Sequence, residues 1–269
     1  MLSSLRRLFR SNTPAPVIAA VPAGTRYYAV GDIHGQRALF DALLDAIAQD
    51  DTARTPADTR IVLLGDLVDR GPDSAGVIAR ARQLQAERPT TLLAGNHEEM
   101  FLSAFEDTGM LRHFLRHGGR ETVMSYGVKR KEYDNATLDE LQDIMHKVIP
   151  EEDRAFVAAF DTHHLAGDYL FVHAGIAPGV PLEQQKRHHL MWIREEFITY
   201  DAPHEHMIVH GHTISAEVDA RANRIGIDTG AYNTGRLTAL ALEGTSRRTI
   251  QAVRGEDGTI TIETETLCP

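Results

Sequence analysis

The chain has 269 residues, 42% of them hydrophobic and 25% charged, the balance of a folded globular protein with a sizeable core and not of a disordered chain. Its 28 Lys and Arg against 38 Asp and Glu leave a net charge of -10, which excludes sequence-independent binding to nucleic acid as the main task, so no stable nucleic-acid partner is expected. The one cysteine, Cys268, allows neither an intrachain disulfide nor a thiolate metal site, as expected of a reducing cytoplasm, and no apolar run approaches the roughly 20 residues of a membrane span.

Residues 2–10 place Leu2, Leu5, Leu8 and Phe9 at helical spacing with arginines between them, and a proline-containing stretch follows to Pro22. This reads either as a short helix in weak contact with anionic membrane or a partner, or as a solvated terminus. Residues 1–25 are therefore set apart as a flexible segment, and 26–269 as one catalytic unit. From there, short apolar runs alternate with amphipathic ones, the pattern of βαβ units around a largely parallel sheet. Tyr27–Val30, Ile61–Leu64 and Thr90–Ala94 read as strands, with crossover helices at Gln36–Ala48 and Asp73–Glu87. Residues 98–165 read as a mostly helical cap, with a capping Thr137 and a further helix at Glu151–Phe160. Beyond the cap, strands are expected at Tyr169–Val172, Met207–Val209, Ile225–Ile227, Leu237–Leu242, Thr249–Val253 and Thr259–Glu263. A helix is expected at Gln184–Phe197 and a hairpin turn at Gly255–Gly258.

Each of the first three strands runs into a polar cluster: Gly31-Asp32-Ile33-His34-Gly35, Gly65-Asp66-Leu67-Val68-Asp69-Arg70-Gly71, and Gly95-Asn96-His97-Glu98. Two later strands end in His173-Ala174-Gly175 and His210-Gly211-His212-Thr213. Loops at the carboxyl ends of parallel strands converge on one crevice, so Asp, His and Asn side chains should meet there. Carboxylate, imidazole and amide ligands without thiolate suit Mn, Fe or Zn, and six of them imply two ions. Two divalent ions outweigh the charge of Asp32 and Asp66, so the site stays positive and attracts phosphate. Asn96 as a neutral ligand preserves that excess. The slowest phosphate monoester hydrolyses need up to ~10²¹ of acceleration, more than positioning supplies, so electrostatic stabilisation must carry much of it. A guanidinium fork on Arg70 or Arg194 could bind phosphate oxygens, although Arg194 could equally belong to a salt bridge on its helix. His97 is placed to protonate a leaving group.

These motifs resemble the metallophosphoesterases, and within them the phosphoprotein phosphatase branch with its GDxHG, GDxVDRG, GNHE and HAG segments, here at 31–35, 65–71, 95–98 and 173–175. Trp192-Ile193-Arg194-Glu195 and Gly211-His212-Thr213 resemble the bacterial protein phosphatases of that branch. The resemblance spans about residues 26–243. It implies an α/β fold of the calcineurin-like type, a β-sandwich flanked by helices in four layers (α/β/β/α). It also implies a first metal on Asp32, His34 and Asp66 and a second on Asp66, Asn96, His173 and His212, with Asp66 bridging and His212 preferred to His210. Mn²⁺ is the expected ion, with Fe or Zn as alternatives. Asp69 would orient His97, and Arg70, Arg194 and Asn96 would contact the phosphate. Tyr232, after the strand that ends in Asp228-Thr229-Gly230, falls where the family has a loop over the site, but it reads as well as a core or surface tyrosine. His113, His117, His163, His164, His188 and His189 show no ligand spacing and are assigned to the surface or to supporting positions.

The implied reaction is hydrolysis of phosphoserine, phosphothreonine or phosphotyrosine on a protein or peptide by hydroxide held between the two metals. A symmetrical dinucleoside tetraphosphate hydrolase is the nearest alternative, because Gly71-Pro72-Asp73-Ser74 fits its second motif, while Asp69 does not. A phosphoprotein-binding scaffold without activity would use the same fold.

Overall fold

The computed structural model describes residues 18–268, so the basic segment at 2–10 lies outside the described residues. Alternation in Thr25–Val30 (β1) sends Tyr28 and Val30 to one face and Tyr27 and Ala29 to the other, and both faces are buried. Helix Arg37–Thr52 (α1), strand Asp58–Leu63 (β2), helix Ser74–Glu87 (α2) and strand Thr90–Leu92 (β3) follow, with β1, β2 and β3 parallel. Asp73 caps α2 by accepting from the Gly76 N–H at 2.9 Å. The third strand is shorter than expected because Leu93 and Ala94 turn to pair with Asp161.

Helices Asn96–Ser103 (α3), Thr108–Phe114 (α4), Arg120–Ser125 (α5), Arg130–Asn135 (α6), Leu138–Val148 (α7) and Glu151–Ala158 (α8) fill the expected cap region, with a kinked turn at Leu115–Gly119 joining α4 to α5. Thr137 and Glu140 form a reciprocal cap at the start of α7. Their buried residues, among them Phe101, Phe114, Val123 and Met145, share one core with α1 and α2, so these helices extend the layer on the outer face of the first sheet. The helical reading of 98–165 fails at its end, where His163–Ala166 (β4) pairs antiparallel with Tyr169–Val172 (β5) around Gly167 at φ 59°. A local hairpin decides this strand, and no helical periodicity signals it.

The expected helix at Gln184–Phe197 is also corrected. It divides into Arg187–Trp192 (α9) and Glu195–Ile198 (α10), broken at Arg194, whose φ −132° and ψ −98° are not helical. Strands Met207–His210 (β6), Asp219–Ala220 (β7) and Arg224–Gly226 (β8) complete a second sheet in the order β4-β5-β6-β8-β7, with β5, β6 and β8 parallel. After a short helix Ala231–Thr234 (α11), strands Arg236–Glu243 (β9), Ser246–Arg254 (β10) and Ile260–Leu267 (β11) return to the first sheet, giving β11-β10-β9-β1-β2-β3.

Tyr27, Ala29, Val62, Phe171, Val209 and Leu240 pack the space between the two sheets. The outer face of the second sheet, with Leu170, Val172 and Ile208, is covered by Leu190 of α9 and Phe197 of α10. The result is the expected four-layer α/β/β/α arrangement. Residues 18–24 were expected in a flexible segment, but Ala19 and Val21 are buried, Ala20 exchanges hydrogen bonds with Asp168, and the Val21 N–H donates to Gly244 O. Burial of these apolar side chains against the sheet edges ties this end down. No described helix is long and apolar enough to cross a membrane.

Candidate dimetal site

The carboxyl ends of β1, β2, β3, β5 and β6 open on one rim, and the loops that follow them are held in uncommon backbone conformations. Among the described residues, the non-glycine residues with positive φ are His34, Asp66, Asp69, Arg70 and His212. All five come from the motifs read in the sequence. Each such residue costs about 1–3 kcal/mol, which persists only where surrounding contacts over-determine it.

The over-determining contact is Glu98, to which the sequence reading gave no role. Buried at the start of α3, its carboxylate accepts from the backbone N–H groups of Asp66 (2.8 Å), Leu67 (2.8 Å) and Gly95 (2.9 Å). It thereby ties the β2 and β3 loops together. Its place three residues after Gly95, the capping position of α3, was the available signal. Glycines allow the close approach: a Cβ at Gly95 would collide with Asp66 Oδ1 and the His173 ring, and one at Gly211 with the Asp32 carboxylate.

Asp66 is the centre of the cluster. It lies 3.5 Å from His34 Nε2, 3.9 Å from His97 Nε2 and 3.4 Å from His173 Nε2. Burial opposes its ionisation, but the surrounding imidazoles, His173 foremost, hold its carboxyl far below the usual range. His34 Nδ1–H donates to Val68 O at 2.8 Å, and His173 Nδ1–H to Leu64 O at 2.8 Å. These bonds fix the tautomer whose Nε2 lone pair faces the centre, the form a metal ligand needs. Burial and the neighbouring His173 push His212 down to about 2, so it too is neutral.

Ligand atoms fall into two groups that share Asp66, namely His34, Asp66 and His97, and Asp66, His173 and His212, each with its atoms within 4.8 Å. Asn96 joins the second group, with Oδ1 3.0 Å from His173 Nε2. Asp32 stands beside these groups: both its oxygens accept from the His212 N–H at 3.1 Å, and its carboxyl faces Asp228. Burial and the Asp228 and Asp66 charges push Asp32 above its ordinary value, and burial pushes Asp228 up to about 6. Asp228, carried by the loop after β8, had no expected place in the site. His210 turns away to pack edge-on against Phe197 at 5.0 Å, whereas His212 faces His173 at 5.0 Å between ring centroids.

These residues fit two divalent cations. Asp32, Asp66 and Asp228 are each 2% exposed, Asp66 faces the Nε2 atoms of His34 and His173, and the buried Nε2 of His212 has no hydrogen-bond partner among the described residues. Carboxylate oxygens and imidazole nitrogens with no thiolate match the donor preferences of Mn, Fe or Zn.

Around this centre stand the groups expected to handle phosphate. Asp69 Oδ2 accepts from His97 Nδ1–H at 2.6 Å. Asp69 is itself held by Thr122, which donates to Oδ1 at 2.6 Å, and its N–H donates to Ser74 Oγ (3.0 Å) and Thr122 Oγ1 (2.8 Å). Ser74 and Thr122 come from α2 and α5, and no motif spacing pointed to Thr122. Burial disfavours a charged His97, but Asp66 and Asp69 outweigh it and hold the imidazole above its ordinary pKa. The Arg70 guanidinium lies 2.7 Å from His34 Nε2, 2.9 Å from His97 Nε2 and 4.6 Å over the Tyr232 ring. Tyr232 is therefore at the site: its ring is edge-on to His34 at 5.3 Å and 37% exposed. Arg194, at the break between α9 and α10, is exposed, and its charge reaches His173 and His212, helping to keep both neutral. The alternative of a salt bridge on its own helix finds no partner within 4.0 Å among the described residues.

A two-sheet sandwich with a buried carboxylate and histidine centre at the strand ends, ringed by arginines, defines a metal-dependent phosphoester hydrolase. Residues 25–234 match the model of the calcineurin-like phosphoesterases, and the chain belongs to that family. The asymmetrical bis(5'-nucleosyl)-tetraphosphatase PrpE of Oceanobacillus iheyensis is 29% identical over 228 residues, covering 78% of this chain and 86% of that protein. The symmetrical bis(5'-nucleosyl)-tetraphosphatase of an Acidovorax species is 32% identical over 180 residues, or 64% of this chain, and the match spans only 48% of that longer protein. Serine/threonine-protein phosphatase 1 of Salmonella typhimurium is 29% identical over 224 residues, covering 80% of this chain and 91% of that protein.

Proposed function

We propose that the chain hydrolyses dinucleoside tetraphosphates by in-line attack of water on a phosphoanhydride phosphorus. The observation that carries this reading is unpaired positive charge: Arg194, whose charge reaches His173 and His212, and Arg112 and Arg116, just before and in the turn that packs on Arg70, are exposed and make no ion pair within 4.0 Å among the described residues, in a chain of net charge -10. Guanidinium groups left without carboxylates on and beside the site suit a substrate with several negative charges. The likeness to the Oceanobacillus tetraphosphatase along most of both chains supports the same class, and the Acidovorax protein supports it over the half that it shares.

A second reading, a phosphoprotein phosphatase, is favoured by the Asp69–His97 pair. A serine or threonine alkoxide is a poor leaving group that needs a proton, whereas a departing nucleotide phosphate does not. The Salmonella relative supports this reading.

Either reaction uses the same residues. Arg70 and Arg194 grip phosphoryl oxygens in forks that lysine cannot reproduce, Tyr232 holds the Arg70 plane, and His97 offers a proton at Nε2 while Asp69 fixes Nδ1. Two divalent ions on Asp32, His34, Asp66, Asn96, His173 and His212, with Mn²⁺ as our expected pair, would acidify water and offset phosphate charge. We place this chemistry in one catalytic unit and in the cytoplasm, the latter on the lone Cys268.

The test is turnover after chelation and Mn²⁺ reloading, with diadenosine tetraphosphate run beside phosphoserine, phosphothreonine and phosphotyrosine peptides. A higher kcat/KM for the dinucleotide supports the first reading. A higher one for any peptide replaces it with the second.

A further inference from the structure

The segment from α4 to α5 carries a basic cluster whose histidines, His113 and His117, the chemistry above leaves unused. Residues 108–120 contain Arg112, His113, Arg116, His117 and Arg120 and no carboxylate. The chain kinks at Leu115–Gly119, where Gly118 at φ 108° leaves the helical region. This turn is pressed directly onto the phosphate-binding arginine: Gly118 O accepts the Arg70 N–H at 3.0 Å, and a Cβ on Gly118 would stand 2.7 Å from Arg70 Cγ. Just beyond it, Thr122 is hydrogen-bonded to Asp69. The cluster is thus fixed in place relative to the residues that hold the scissile phosphate.

The cluster is internally coupled as well. His117 Nδ1–H donates to His113 O at 2.8 Å, and the two rings lie 4.2 Å apart. Partial burial, then the charges of His117, Arg116 and His97, hold His113 below its ordinary pKa. Arg112 and Arg116 are exposed and have no carboxylate within 4.0 Å among the described residues. Like charges four residues apart repel weakly, and a bound anion relieves that repulsion.

We propose that His113, Arg116 and His117 form a subsite for the phosphoryl groups of the substrate that are not cleaved, which makes this turn the determinant of preference for polyphosphate chains over single phosphomonoesters. The inference deepens the tetraphosphatase reading and rests on it for the identity of the substrate. An extended polyphosphate would bring a further phosphoryl group to this turn while Arg70 holds the one that is cleaved.

The test compares wild type with the Arg116→Ala/His117→Ala double variant, both as full chains reloaded with Mn²⁺ at one free-ion concentration. Both side chains are exposed, and a thermal melt checks that the fold is kept, with Arg116→Lys as a second variant that retains charge. The expected result is a fall of about tenfold or more in kcat/KM for diadenosine tetraphosphate relative to p-nitrophenyl phosphate, carried by KM. Arg116→Lys with intact His117 should lose less. An unchanged ratio overturns the inference. If wild type does not cleave the dinucleotide, the functional reading fails, and the dinucleotide is then tested as a competitive inhibitor of p-nitrophenyl phosphate turnover. A Ki raised in the double variant keeps the subsite, and an equal Ki or no inhibition removes it.

Discussion

Replacing Asp69 by asparagine separates the two kinds of leaving group at a single atom. In the native site Asp69 Oδ2 and His97 Nδ1 are 2.6 Å apart, with both side chains buried. Thr122 donates its hydroxyl hydrogen to Oδ1, so the amide oxygen of the introduced asparagine must take that side and its NH₂ must face His97. A doubly protonated His97 would then meet a donor where it had a carboxylate. The charge-assisted hydrogen bond lost is worth about 1.5–3 kcal/mol, which lowers the imidazolium pKa by roughly one to two units at 1.36 kcal/mol per unit. The acid form is depleted at neutral pH. General acid catalysis contributes about 10²–10⁴, and a depletion of one to two units should lower turnover of a phosphoserine peptide by up to roughly ten- to a hundredfold. Diadenosine tetraphosphate and p-nitrophenyl phosphate, whose leaving groups are weak bases, should lose about tenfold or less. The pH profile gives the sign independently. His97 is held above the ordinary histidine value, so alkyl phosphate turnover should decline only as pH rises through that elevated value, and the decline should move to lower pH in Asp69→Asn. An equal loss for all three substrates would refute the argument and leave Asp69 as a brace for the loop through Ser74 and Thr122.

Further outcomes follow from the same geometry. Glu98→Gln turns one of three oxygen-directed backbone N–H groups toward an amide NH₂, at about 1–3 kcal/mol. Its melting temperature should drop by several degrees, and an unchanged melt would mean that the three bonds do not brace the loops. Adding Mn²⁺ to chelated protein at roughly 100 times Kd should stabilise it by about 2.7 kcal/mol, seen as a rise of roughly 5 °C or more in Tm. No rise in wild type, or an equal rise in Asp66→Asn, would count against the buried carboxylates as the ion site. Tyr232→Ala should raise KM by roughly two- to tenfold through loss of the ring beneath Arg70, while Tyr232→Phe should behave as wild type. If Phe proves as damaging as Ala, the hydroxyl and not the ring face is what matters.

Much of the centre was legible before any tertiary contact was known. The alternation of Tyr27 to Val30 and the apolar run Ile61–Leu64 mark buried strands, and the polar clusters just after them must emerge on one rim of a parallel sheet. This places Asp32, His34, Asp66, Asn96 and His97 together without further information. His173 and His212 also end strands, but in a second sheet, and only the packing of Phe171 and Val209 against Tyr27 and Ala29 brings that rim to the first.

What remained hidden depends on contacts between residues distant in sequence. Glu98 looks like a helix-capping acid, and its grip on Asp66 and Leu67, some thirty residues earlier, exists only once β2 and β3 lie side by side. Thr122 joins Asp69 across 53 residues, and Asp228 meets Asp32 only when β8 has entered the second sheet. The break in the helix at Arg194 contradicts a continuous apolar period, because covering Leu170 and Ile208 with both Leu190 and Phe197 takes two short helices at an angle. Local pattern therefore determined which residue types stand at the strand ends. Which of them face inward, which brace the loops, and how the basic turn at Leu115–Gly119 sits on Arg70 were decided by tertiary packing, since hydrogen bonds and close contacts across elements have no counterpart in the spacing of a single strand or helix.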